Sequence, residues 1–151
     1  MTPDLRKTLS AVAQAMRSAH DPWWIIGSAA AVLHGAAPIE VADVDVVLSV
    51  PDATRILALI GLEPAAGGGS DQFRSEVFAT WHDNALPVEF MAGFHVRTEN
   101  RWSPVVLKTR EAISVDGAEV FVPGRRELLE LFASFGRLKD LERARLLLKG
   151  L

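Results

Sequence analysis

Apolar residues recur along this chain with two different periods. Between residues 3 and 19, Leu5, Leu9, Val12 and Met16 form one stripe at helical spacing, and Pro3 suits a first turn, so the pattern predicts an amphipathic helix. "DPWWII" (21–26) is a turn start followed by a short apolar run, read as a strand. Gly27 and Ser28 then lead into "AAAVLHG", a small-residue helix that stops near Gly35. Residues 43–49 read as a strand. "PDATRILALIG" (51–61) reads as a helix with Asp52 near its N-cap and Gly61 as its stop. "EPAAGGGSDQ" (63–72) is a flexible loop; no Lys-Ser/Thr pair follows its glycines, so it reads as a linker and not a phosphate cradle. Residues 73–81 and 86–94 read as two strands joined through "HDNA", and Asp116-Gly117 centres a second hairpin over 112–122. Two helices close the chain. One (125–135) places Leu128, Leu131, Phe132 and Phe135 on one side, and the other (138–150) places Leu138, Leu141, Ala144 and Leu148 on one side. With no repeat and no second domain, residues 1–151 read as one domain, with about 125–151 as a C-terminal helical extension. The fold class expected is α+β, a mixed β-sheet flanked by helices with two C-terminal helices.

Composition narrows the chemistry. The 151 residues are 49% hydrophobic and 23% charged, enough for a sizeable core. There is no cysteine, which excludes disulfides, thiolate metal sites and cysteine nucleophiles. The first twenty residues lack the apolar core of a signal peptide and no run approaches a membrane span, so a cytoplasmic protein without membrane attachment is expected. The net charge of −3 is uneven: residues 125–151 hold seven Arg/Lys against four Asp/Glu, so the body is acidic and the tail basic. A solvated helix face explains the tail better than a nucleic-acid patch, and a basic tail beside an acidic site also helps to hold phosphates.

The acidic site is the sharper signal. Asp43 and Asp45 interrupt a Val-rich strand, and residues two apart share a face, so two like charges lie side by side. That arrangement costs free energy unless a cation sits between them. Mg²⁺ (or Mn²⁺) is the expected ion, because it takes carboxylate oxygens together with substrate phosphates. Glu89 is another acid in an apolar strand. If that strand neighbours 43–49, three acids on two strands form a site for two metal ions, which activates an attacking oxygen and neutralises a leaving pyrophosphate. Upstream, Gly27-Ser28 between a strand and a helix suits phosphate: glycine lets the backbone approach closely and the hydroxyl donates.

Gly27-Ser28 after a strand, a short helix, Asp43-Val44-Asp45 in the next strand and Glu89 in a later one together resemble the polymerase-β-like nucleotidyltransferase superfamily. The small, stand-alone bacterial members are especially similar. They often read "GG-A-x(n)-HG-x(n)-DID", and His34-Gly35 falls in the matching place; "GRLKDLERARLL" (136–147) looks like a helix common among them. The resemblance implies that Asp43 and Asp45 bind the metals and that Glu89, also a metal ligand, helps to activate an acceptor hydroxyl. It further implies that Gly27 and Ser28 hold the triphosphate; Lys139 is a separate nucleotide-binding candidate, placed to reach phosphate. The implied activity is Mg²⁺-dependent transfer of a nucleoside monophosphate from an NTP, such as ATP, to a hydroxyl acceptor. One departure stands out: relatives place Arg and Thr before the first acid, where this chain has Ile39, Val41 and Ala42. A second reading therefore stays open, a non-catalytic binding protein on the same fold acting with a protein partner, as half of a two-protein, toxin–antitoxin-like system. A homodimer is also open. His34 reads as structural, His82 as a turn residue, and the four tryptophans as core or interface. For Lys139, a solvated position or a local pair with Asp140 or Glu142 competes with the phosphate role.

Overall fold

The computed structural model describes residues 1–65 and 69–149; residues 66–68 of the expected loop, and 150 at the end of the last helix, lie outside them. Helix α1 (Pro3–Ala15) is capped by the Thr2 side chain, which accepts the Leu5 N–H. Its expected stripe is the buried one, with Leu5, Leu9, Val12 and Met16 all in the core. Strand β1 (Trp24–Ile26), helix α2 (Gly27–Leu33), strand β2 (Val44–Leu48) and helix α3 (Val50–Leu59) follow in the expected order. The main sheet adds β4 (Val77–Trp81) and β5 (Val88–Ala92) in the order β1-β2-β5-β4. Its β2–β5 pair is parallel and the other two are antiparallel, so the sheet is mixed as expected. Helices α4 (Arg125–Phe135) and α5 (Leu138–Lys149) close the fold. No described helix is long and apolar enough to cross a membrane.

The structure differs from the expectation, or adds to it, in four places. The single strands expected over 73–81 and 86–94 each break. Residues Phe73–Arg74 (β3) and His95–Thr98 (β6) leave the main sheet and pair with each other, and β7 (Arg101–Pro104) pairs with β6. Gly93 makes the second break possible: its φ is 60°, and a Cβ there would lie 2.6 Å from the Glu76 side chain. The β6–β7 hairpin was not read from the sequence, because its turn is carried by Glu99 and Asn100, both at positive φ, without a glycine to mark it. The hairpin over 112–122 is found as expected, as β8 (Glu111–Val115) and β9 (Ala118–Val122) around Asp116-Gly117.

Third, Asp52 lies near the N-cap of α3 as expected, but its carboxylate has a role the sequence did not mark. Ser49 is the cap, accepting the Asp52 N–H at 3.2 Å. The buried Asp52 carboxylate instead accepts the backbone N–H of His20 (3.0 Å) and Asp21 (2.9 Å) and holds the Arg55 guanidinium at 3.0 Å, tying the segment after α1 to α3. Despite the cost of burial, these donors hold its carboxyl below the ordinary value of 3.8. Asp52→Ala would remove the partner of the His20 and Asp21 N–H groups and of Arg55, and is expected to cost about 1–3 kcal/mol, read as a lower urea midpoint at pH 7. The contribution is present above the ordinary pKa and is lost as pH falls through the depressed one, so the variant and the wild type should converge in stability well below pH 4.

Fourth, the leucine stripe of α5 faces outward: Leu138 is 88% exposed and Leu148 53%, while Asp140, Leu146 and Leu147 are buried. Asp140 sets the rotation. It accepts the Arg137 backbone N–H at the helix start and holds that residue's guanidinium through two bonds, of 2.6 and 2.9 Å.

Candidate active site

Register brings the acids together. Asp45 lies directly opposite Glu89 across the parallel β2–β5 pair, with Ile26 of β1 on its other side. Asp43, two residues earlier, points the same way. Each of the three offers a carboxylate oxygen such that all these atoms lie within 4.8 Å of one another, and all three residues are partly buried. Burial, then the charges of Asp43 and Glu89, push the Asp45 carboxyl up to about 8, with Arg143 opposing. Burial and Asp43 raise Glu89 as well, while its bond with Asp45 and the charge of Lys139 oppose the rise. Burial and mutual repulsion thus act on Asp45 and Glu89 as a pair and disfavour the state in which both are ionised.

Gly27 touches this cluster. It opens α2 at φ 71°, and a Cβ there would stand 2.9 Å from Asp45 Oδ2. A residue with a side chain would be strained in its backbone and would displace the carboxylate. Ser28 follows and is 5% exposed.

The basic groups come from α5. Lys139 lies close enough to Glu89, and Arg143 to Asp45, for their charges to oppose the rise in those acids' pKa. The two are four residues apart and so share a helix face. Lys139 is exposed, as in the solvated reading, and the local acids named as its possible partners are engaged elsewhere: Asp140 by Arg137, Glu142 by Arg145. Arg143 was not singled out from the sequence, although its spacing from Lys139 was there to read. Helix α5 is held in place by Arg125, which donates to the carbonyls of His34 (2.7 Å) and Leu147 (2.9 Å), while His34 Nε2 donates to the Pro123 carbonyl at 2.7 Å and ties the end of α2 to the start of α4. His34 is thus structural, as read.

A cavity of about 350 Å³ opens beside the acids, lined by Gly27, Asp45, Glu89, Arg143 and a group of phenylalanines. A larger one, about 560 Å³, lies at the far end of β1 near Trp23 and Phe121 and contains none of the three acids.

Neither the family models nor the curated protein sequences match this chain. Solved structures do. The candidate nucleotidyltransferase TM1012 from Thermotoga maritima superposes with a TM-score of 0.72 at 21% identity, over 95% of this chain and 92% of that one. The lincosamide antibiotic adenylyltransferase LnuA, solved with lincomycin bound, gives 0.63 at 10% identity over 100% and 99%. ANT(2")-Ia, solved in complex with adenylyl-2"-tobramycin, gives 0.56 at 14% identity over 98% and 89%. Over nearly its whole length, this chain has the nucleotidyltransferase fold.

Proposed function

We propose that the protein is a metal-dependent nucleotidyltransferase that moves a nucleoside monophosphate from an NTP to a hydroxyl acceptor. The observation that carries the reading is the cluster of Asp43, Asp45 and Glu89, three mutually repelling carboxylates, two on paired strands and Asp43 just before β2, held together at a cost that a divalent cation offsets. The donor set suits Mg²⁺ or Mn²⁺: all oxygen, all carboxylate, and open to a cavity from which phosphate oxygens can complete the coordination. Bound there, such ions neutralise the triphosphate and the departing pyrophosphate. Asp43 and Asp45 serve as the principal ligands. Glu89 completes the set and accepts the acceptor's proton. The acceptor oxygen then bonds to the α-phosphorus, the bond from that phosphorus to the bridging oxygen breaks, and pyrophosphate leaves with the electron pair. Gly27 leaves room for the phosphates next to Asp45, Ser28 donates to them, and Lys139 and Arg143 supply positive charge from α5. Arg143 thereby fills the place of the arginine missing before Asp43.

That missing arginine is also what favours the second reading, binding of nucleotide or of a protein partner without transfer. Melting curves with each of the four NTPs, with and without Mg²⁺, separate the two from a protein that binds no nucleotide at all. Saturating nucleotide at about a hundred times its Kd should stabilise by about 2.7 kcal/mol, and only with metal. No shift with any nucleotide would overturn nucleotide binding, and with it the transferase. A shift without pyrophosphate release in the presence of acceptors would favour the binding protein.

A further inference from the structure

The cavity beside the acids changes character along its length. Residues two apart on a strand share a face, so Met91 lies one step beyond Glu89 on the same side of β5, and Phe78 is its partner on β4. Beyond them the wall is Phe73, Phe94 and Phe135, with Phe73 edge-on to Phe135 at 4.9 Å and stacked on Phe94 at 5.7 Å. A molecule that presents a hydroxyl to Glu89 thus lays its body on aromatic and thioether surface. Among the described residues, Asp45 and Glu89 are the only carboxylates in the lining.

The cations there are of three kinds. The buried Asp140 pairs with both Arg137 (2.6 Å) and Arg143 (3.8 Å), and the charge of Arg143 also acts on Asp45. Arg74 stands at the rim, 4.3 Å over the Trp102 ring and exposed to solvent. An ammonium carried along the aromatic wall, away from Asp45 and Glu89, would meet no carboxylate among the described lining residues and would be desolvated against like charge. The cavity's volume, about 350 Å³, is near the small end of the roughly 300–1,000 Å³ of ligand sites.

We infer that the acceptor is a small, flat, apolar hydroxyl compound without positive charge, its acidic substituent directed to Arg74. This rests on the transferase reading and narrows it: a polycation of the aminoglycoside type does not fit this wall. In the transfer, the acceptor hydroxyl loses its proton to Glu89 as its oxygen takes the nucleotidyl group and pyrophosphate departs.

The test uses 6-hydroxy-2-naphthoate, an intrinsically fluorescent aromatic acid with one hydroxyl, titrated against the full chain without nucleotide. Saturable binding is expected, weakened about tenfold by Phe78→Leu and by Arg74→Glu, each shown to be folded by its melting curve, and not displaced by tobramycin. Four results would overturn the inference: no saturable binding, binding indifferent to both variants, displacement by tobramycin, or displacement by adenosine, which would make the cavity the nucleoside's own slot. Addition of NTP and Mg²⁺ then tests the parent reading separately. Nucleotidylated naphthoate supports both. Binding in the expected pattern without transfer supports the pocket's chemistry and counts against the transferase.

Discussion

Asp45→Asn should abolish nucleotidyl transfer and, at pH 8 in the absence of metal, raise the melting temperature. The first effect follows if, as proposed, Asp45 is a principal metal ligand, and a loss of about 10³-fold or more corresponds to roughly 4 kcal/mol of transition-state stabilisation. The second follows from the crowding of three carboxylates whose oxygens lie within 4.8 Å of one another. With burial, that crowding pushes the Asp45 carboxyl from 3.8 up to about 8. The folded protein therefore keeps a proton that the unfolded chain gives up. Stability conferred by Asp45 is complete below the ordinary pKa, falls as pH rises toward 8, and levels off above that. The amide removes this slope, and its nitrogen can donate to Glu89 in place of the carboxyl proton. The variant's advantage should thus be small at pH 5 and grow to about 1–2 kcal/mol by pH 8, roughly 2–8 °C for a chain of this size. Melting curves from pH 5 to 8.5 in EDTA read it directly. A wild type and variant with parallel pH profiles would contradict the electrostatic account of the site.

Gly27→Ala is the second large effect. The substituted residue would have to hold a φ of 71°, at about 1–2 kcal/mol, and its Cβ would press on Asp45 Oδ2 from 2.9 Å. Stability should fall by a few degrees, and transfer about 10²-fold, because a displacement of the order of 1 Å at a reacting centre costs that much. Gly35→Ala is the control. Its φ is 91°, so the backbone penalty is similar, but no heavy atom lies within 4 Å of the added carbon. That variant should lose stability and keep its transfer rate. Equal losses of transfer in both variants would mean that Gly27 acts only through the backbone and not through its contact with Asp45.

Much of this architecture could be read from the chain because local signals and packing agree. The α1 stripe, the Asp116-Gly117 turn and the alternation of strands and helices through residue 61 each have one simple solution. The acids were legible for the opposite reason: Asp43, Asp45 and Glu89 violate the apolar pattern of their strands, and such violations mark sites. Failures came where a tertiary contact outweighed a local pattern. The leucines of α5 have the spacing of a buried stripe, yet the Arg137–Asp140 cap and the fit of Leu146 and Leu147 turn them outward. The break at Gly93 depends on the close approach of Glu76, seventeen residues earlier, which no local window contains. Arg143 was unmarked because its place opposite Asp45 depends on how Arg125 and His34 dock α5 against α2.

The most direct measurement is a titration of Mn²⁺ into the protein with a non-hydrolysable NTP analogue, free Mn²⁺ being followed by electron paramagnetic resonance. Metal should be taken up together with the nucleotide by the wild type, and uptake should be lost in Asp43→Asn/Asp45→Asn while that variant melts cooperatively. Equal uptake by the two proteins, or none by the wild type, would contradict the assignment of these carboxylates as the metal site.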